Sequence, residues 1–267
     1  MSDQTGFMDI DGIRLEYAWH GPPPDQKPTI VMLHEGLGCV AGWLDFPQRL
    51  SKATGCGVLV YSRQGYGRSD PVPRPLTHMH DEARNVLPKV IDQWGLLKVF
   101  LVGHSDGASI AAIYAGSILD HRVRGIVLMT PHFFNEEVCI KGVLTAKQAY
   151  EEGPLKENLA RYHGDNVDLA FYGWSTTWLH PDFAGWSIEE ELTYIRVPVL
   201  LIWCVNDRYA SLDQVARASD ACTCPLEVIL LDKAIHWPFR EEPENTLLSV
   251  EQFIKRMIEV HGETVPD

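Results

Sequence analysis

The chain has 267 residues, 45% of them hydrophobic and 22% charged, enough for one large core or two modest domains of ordinary globular composition. A formal net charge of −13 argues against phosphate-backbone binding, which needs clustered Lys and Arg. No apolar stretch nears the roughly 20 residues of a membrane helix. The N-terminal segment carries Asp3, Asp9 and Asp11 without an apolar core, so no signal peptide is expected. A cytoplasmic protein with no nucleic-acid or membrane partner is therefore expected. The six cysteines (Cys39, Cys56, Cys139, Cys204, Cys222 and Cys224) show no Cys-x-x-Cys spacing, which predicts inert thiols and no metal site of that kind.

In chain order, a hairpin is predicted first: strands Gly6–Ile10 and Ile13–Trp19 around a tight Asp11-Gly12 turn. Pro22-Pro23-Pro24 then stiffens the link to a buried-type apolar strand, Thr29–Leu33, which ends at His34. A helix from about Trp43 to Ala53 and the strand Gly57–Tyr61 follow. Apolar spacing predicts a helix over His80–Trp94, distorted at Pro88. The strand Val99–Val102, a small-residue helix at Ala108–Ala115 and the strand Gly125–Met129 continue the alternation.

The rhythm stops between about Phe133 and Tyr194, where helical stretches carry Tyr150, Tyr162, Phe171, Tyr172, Trp174, Trp178, Phe183 and Trp186. It resumes with the strand Val197–Val205, a helix near Leu212–Ser219, the strand Leu226–Leu231 and an amphipathic helix near Asn245–His261. Such alternation predicts an α/β fold, a mostly parallel sheet with helices on both faces. Residues 1–134 and 195–267 would form the core, and 135–194 a helical cap inserted between two core strands.

Gly103-His104-Ser105-Asp106-Gly107 lies between the predicted elbow strand and helix. A Ser flanked by Gly two residues away on each side, at such a junction, reads as a nucleophile elbow. The turn that thrusts Ser105 outward is strained and closely packed, so a Cβ at either Gly would clash. An activated Ser needs a base, and the base an orienting acid. Asp207 and His236 follow the strands Val197–Val205 and Leu226–Leu231, at the carboxyl ends where open α/β sheets place their sites. The chain order Ser…Asp…His matches the order known for this elbow.

With these residues the chain resembles the α/β-hydrolase superfamily, in its capped, cofactor-free branch, over essentially its whole length. Leu33-His34-Glu35-Gly36-Leu37-Gly38 is similar to that family's oxyanion loop, and Ser62-Arg63-Gln64-Gly65-Tyr66-Gly67-Arg68-Ser69 to its Gly-rich loop after the next strand. His236-Trp237-Pro238-Phe239 with Glu241-Glu242-Pro243-Glu244 is similar to its catalytic-histidine segment. The resemblance implies Ser105 as nucleophile, His236 as general base and Asp207 as orienting acid. It implies oxyanion donors at the backbone N–H groups of Asp106 and of Glu35 or Gly36, and no cofactor or metal.

Two departures stand out. Ser62 and Gln64 replace the Asp and the Arg or Pro usual in the Gly-rich loop, a change expected to alter bracing rather than chemistry. Glu35 stands where the family has Gly. A carboxylate there would repel an oxyanion unless it points away, is neutralised or binds a substrate hydroxyl or amine. Dienelactone hydrolases also place a Glu in this loop, beside a Cys nucleophile. A structural hydrogen-bonding role for Glu35 is the favoured expectation, a role in substrate choice or proton transfer the alternative.

His34 reads as a structural hydrogen-bonding residue, His104 as packing, and the Asp106 side chain as a cap of the elbow helix. Glu136 or Glu137 is an alternative triad acid. Trp174, Trp178, Trp186 and Trp237, with His34, make up the candidate pocket set. The resemblance implies small carboxylic esters, lactones or thioesters as substrates, cleaved through an acyl-enzyme. It leaves open carbon–carbon bond hydrolysis of ring-fission products, amide or perhydrolase chemistry, and a non-catalytic ligand-binding role on the same scaffold. Exposed apolar cap surface could pair two copies into a homodimer.

Overall fold

The computed structural model describes residues 3–73 and 75–262. The rest of the expected core segments, residues 1–2, 74 and 263–267, lie outside the described residues. β1 (Gln4–Ile10) and β2 (Ile13–His20) pair antiparallel across Asp11 and Gly12, which hold φ values of 55° and 83°. That is the type I′ geometry, whose twist matches the flanking strands.

The other strands are β3 (Thr29–Leu33), β4 (Gly57–Tyr61), β5 (Val99–His104), β6 (Val123–Met129), β7 (Val199–Cys204) and β8 (Leu226–Leu231). All belong to one 8-stranded sheet in the order β1-β2-β4-β3-β5-β6-β7-β8. Pairing is parallel from β4 through β8 and antiparallel at the β1-β2-β4 edge, so the sheet is mostly parallel as the alternation predicts.

The helices are α1 (Phe46–Thr54), α2 (His78–Asp81), α3 (Leu87–Gln93), α4 (Asp106–Ser117), α5 (Glu137–Glu151), α6 (Leu155–His163), α7 (Val167–Trp178), α8 (Glu189–Tyr194), α9 (Asp213–Ala221), α10 (Pro238–Glu241) and α11 (Pro243–Val260). Central strands are buried on both faces, so alternate residues of each apolar run serve two cores. Val31, Leu101, Leu128 and Leu201 pack with Leu87 and Val90 of α3 and Ile110 and Ile113 of α4. Ile30, Val102, Val127 and Leu200 pack with Phe46 and Leu50 of α1 and Phe253 and Ile254 of α11.

Two predicted helices differ in detail. The first begins only at Phe46, because Pro47 fits an α-helix only in its first turn; Val40–Trp43 is a separate 3₁₀ turn, and Leu44 at φ 56° ends it. The second is split by a π turn at Glu82–Val86. Pro88 has no N–H for the carbonyl of Arg84, and the helical register widens just ahead of it.

Between β6 and β7 the chain forms α5, α6 and α7, which pack on one another. Where the segment leaves and rejoins the sheet, Asn135 N–H donates to Trp186 O at 2.9 Å and Ile188 N–H to Phe133 O at 2.7 Å. The short α8, placed with the cap in the sequence, packs against the core helix α4. Gly116 permits that approach, since a Cβ there would overlap the Glu191 backbone. The six cysteines are free thiols, and among the described residues no helix is long and apolar enough to cross a membrane.

Candidate active site

The sheet order reverses direction between β3 and β5, so the loops following these strands face each other across a crevice at the carboxyl ends. Ser105 links β5 to α4 at φ 50° and ψ −120°, a conformation that costs a non-glycine residue energy. A Cβ on Gly107 would overlap the Leu33 carbonyl and come within 2.6 Å of His34 O, and one on Gly103 would lie 2.5 Å from Ala108 N. These neighbours are backbone and cannot yield. Gly107→Ala is therefore expected to destabilise the fold by at least about 3 kcal/mol, read as a lowered urea midpoint or loss of soluble protein. A midpoint equal to that of the unaltered chain would contradict the close packing.

His236, in the loop after β8, is held on every side. Its Nδ1 donates to Asp207 Oδ2 at 2.8 Å, so its Nε2 is the basic nitrogen of the neutral ring. Its carbonyl accepts from His104 Nε2 at 2.8 Å and Thr130 Oγ1 at 3.2 Å. One oxygen of Glu241 accepts the backbone N–H groups of Ile235, His236 and Trp237 at 2.7 to 3.0 Å. The Asp207 side chain is fully buried, and its other oxygen accepts from the N–H groups of Tyr209 and Ala210. Burial pulls the His236 pKa down, but Asp207, with Glu35 and Glu241, outweighs burial and raises it above its ordinary 6.5. His104, expected as packing, is buried and neutral, its pKa driven well down by burial and then by His236; it also fixes the His236 backbone.

The loop after β3 is clamped from behind by Arg63, in the loop after β4. Arg63 Nη1 donates to His34 O, and Nη2 donates to Glu35 O at 3.1 Å. The Arg63 N–H donates to His34 Nε2 at 3.0 Å, which leaves His34 Nδ1–H to donate to Glu35 O at 2.7 Å. Burial would lower the Arg63 pKa, but Tyr66, Asp106 and Glu82 more than offset it. In a trans peptide the N–H points opposite to the C=O. Holding the His34 and Glu35 carbonyls on one side therefore turns the N–H groups of Glu35 and Gly36 to the other.

Bracing of the Gly-rich loop also differs from the family pattern. Ser62 Oγ accepts from Val40 N–H and donates to Glu16 Oε2, and Glu16 further binds the Arg68 N–H and guanidinium. Glu16 on β2 thus supplies the carboxylate that position 62 lacks.

A cavity of about 240 Å³ opens onto these loops. Ser105, His236, Glu35, Gly36, Trp174, Trp178 and Trp237 line it, which brings most of the sequence-derived set together. His34 does not line it, because both of its ring nitrogens are engaged beneath the loop. Trp186 does not either: it stacks on Phe183 and meets Trp178 edge-on, within the segment between β6 and β7. Asp106 is the first residue of α4 rather than its cap, the N-cap position being Ser105, where no side-chain capping bond forms. Its buried carboxylate faces Gly36, where a Cβ would stand 3.1 Å from Oδ2. Glu136 accepts from Ser211 N–H and Gln214 Nε2, and Glu137 pairs with Lys141, so both carboxylates are committed elsewhere.

His132 and Tyr209 also line the cavity and were missed in the sequence. Both follow the carboxyl ends of sheet strands, a placement that could have singled them out. The His132 ring packs on Trp178 at 4.8 Å, and burial, followed by the His236 charge, lowers its pKa to about 4. The Tyr209 ring packs on His236 at 4.7 Å, and burial, then the Glu35 charge, raises its pKa to about 12.

Such a sheet and site define an α/β enzyme of the hydrolytic kind. Residues 30–247 match the model of the alpha/beta hydrolase family, so the chain belongs to that family and is a hydrolase. It is 26% identical over 225 residues to the 2-hydroxy-6-oxononadienedioate/2-hydroxy-6-oxononatrienedioate hydrolase of Klebsiella pneumoniae, covering 72% of this chain and 75% of that protein. Among solved structures, the enol-lactonase from Burkholderia xenovorans LB400 superposes with a TM-score of 0.71 at 21% identity, over 93% of this chain and 99% of that one. Carboxylesterase CesB from Bacillus subtilis superposes with a TM-score of 0.69 at 18% identity, over 95% and 92%.

Proposed function

We propose that this chain is a serine hydrolase that cleaves small carboxylic esters, lactones or thioesters through an acyl-enzyme. The observation that carries the reading is one cavity holding a strained Ser105 and a His236 whose Nδ1 is bound to the buried Asp207. Ser105 Oγ attacks the carbonyl carbon while His236 Nε2 takes its proton. The tetrahedral oxyanion is received by the N–H of Asp106 and by that of Glu35 or Gly36, each such donor contributing about 3 to 4 kcal/mol. His236 then hands its proton to the leaving group, and a water, deprotonated by the same nitrogen, clears the acyl group. Residues 135–194 act as the cap, with Trp174 and Trp178 roofing the cavity.

The Klebsiella relative acts, by its name, on a dioate, a molecule with two carboxylates. Here the cationic side chain lining the cavity is Arg240, which is exposed and bound to Gly42 O, while Glu35 is a carboxylate. That charge pattern favours the ester reading over carbon–carbon cleavage of dianionic substrates. The test is covalent labelling with an alkyl fluorophosphonate, together with hydrolysis of p-nitrophenyl butyrate. Labelling is expected in the unaltered chain and absent in Ser105→Ala, with kcat/KM falling by at least about 10³-fold. An unlabelled chain that turns over no activated ester would sink the reading and leave a ligand-binding protein on this scaffold.

A further inference from the structure

Beyond its part in raising the His236 pKa, Glu35 carries a charge to which the proposed chemistry gives no direct role. Its Oε2 accepts the Leu37 N–H at 2.6 Å, which fixes the carboxylate in one orientation. The second oxygen, Oε1, takes no hydrogen bond from a described residue, and among the described residues no cation pairs with the group. The guanidinium of Arg63, which clamps the same loop, is turned to the backbone carbonyls. Leaving a half-buried carboxylate without a counter-charge is costly unless something else supplies a donor.

Apart from Arg240, which is exposed and whose guanidinium is bound to Gly42 O, the other polar groups of the cavity that the triad reading leaves unused are neutral. No described residue hydrogen-bonds the His132 ring or the Tyr209 hydroxyl, and both line the same space as Glu35. Much of the remaining wall is apolar, with Leu155, Leu159, Trp174 and Trp178 among its residues. The cavity therefore offers a pre-oriented anionic acceptor beside neutral hydrogen-bonding groups, within reach of the same small molecule as Ser105.

From this placement we propose that Glu35 is a specificity residue that accepts a hydrogen bond from an ammonium or hydroxyl group borne by the substrate near its scissile carbonyl, and that rejects carboxylate-bearing substrates. The inference rests on Ser105 being the nucleophile. Binding such a donor satisfies Oε1, whereas a carboxylate there would set two anions together in a site poorly screened by water. Sites built to bind a polar group discriminate strongly against molecules that leave it unpaired.

The test compares rates of Ser105 labelling by three fluorophosphonates of equal chain length, ending in an ammonium, a hydroxyl or a carboxylate. The unaltered chain should react with the better of the first two at least about tenfold faster than with the carboxylate probe. Whichever of the two is faster identifies the donor as cationic or neutral. In Glu35→Gln, which can still accept from Leu37 N–H, the ratio should fall to within about twofold, as expected when the charged hydrogen bond and the repulsion are both lost. The chain carries a net charge of −13, which one neutralised carboxylate scarcely changes, so long-range repulsion of the anionic probe cannot mimic that fall. Equal labelling by all three probes, or a ratio unchanged in Glu35→Gln, would overturn the role of Glu35 while leaving Ser105 in place. No labelling by any probe overturns the nucleophile itself, and the Glu35 role with it.

Discussion

Asp207→Asn is expected to lower kcat on an activated ester by about four orders of magnitude at pH 7 while the protein stays folded. The Asn side chain can keep the two N–H bonds from Tyr209 and Ala210, so the loop after β7 should hold. What it cannot do is favour the Nδ1–H tautomer, because its amide NH₂ can donate a hydrogen bond to Nδ1, leaving the ring's own proton on Nε2, the nitrogen that must act as base. The pH profile separates this from a merely structural loss. In the unaltered chain His236 has its pKa raised above 6.5, and it works as a base only when unprotonated. Activity should therefore rise with pH through a midpoint above 6.5. Burial opposes the charged ring, and Asp207 is the foremost group that outweighs it. Removing that charge should move the midpoint to lower pH even as the plateau collapses. A plateau unchanged within about tenfold, or a midpoint that moves upward, would remove Asp207 from the proposed triad.

The pairing of Asp207 with His236 was legible because each follows a buried apolar strand, and parallel strands deliver their carboxyl ends to one edge of the sheet. Strand positions were readable for the same reason: runs such as Thr29–Leu33 and Val199–Cys204 are fully buried and have no polar alternation to obscure them. The segment between β6 and β7 was harder to read. Trp174 and Trp178 lie four residues apart on α7 and so share a face toward the cavity, a relation the sequence did contain. Trp186 follows α7 in irregular chain, where no period says which way a ring turns. Side-chain roles that depend on two loops meeting were invisible. Glu16 substituting for the missing carboxylate of the Gly-rich loop needs the register of β2 against β4, and the placement of His34 beneath its loop needs Arg63.

Arg63 carries the second large prediction. It is almost fully buried and donates to two successive carbonyls of the loop that faces Ser105. Those carbonyls belong to the same peptide units as the N–H groups of Glu35 and Gly36, the proposed oxyanion donors. Releasing them lets both peptide planes rotate, and donors that are not held in advance lose their advantage in the transition state. Arg63→Met, which keeps length and apolar volume, is expected to lower kcat by about 10²- to 10³-fold with KM changed far less. Arg63→Lys should recover only part of this, since one ammonium retains the charge beside Asp106 but cannot fork between two carbonyls in the guanidinium's geometry. Stability alone predicts a different pattern: a variant that is simply unfolding loses active molecules, so the rate per labelled Ser105 stays constant. Titrating active sites with the fluorophosphonate before measuring turnover therefore decides the matter. If kcat per labelled site in Arg63→Met equals that of the unaltered chain, the clamp supports the fold and not the oxyanion loop.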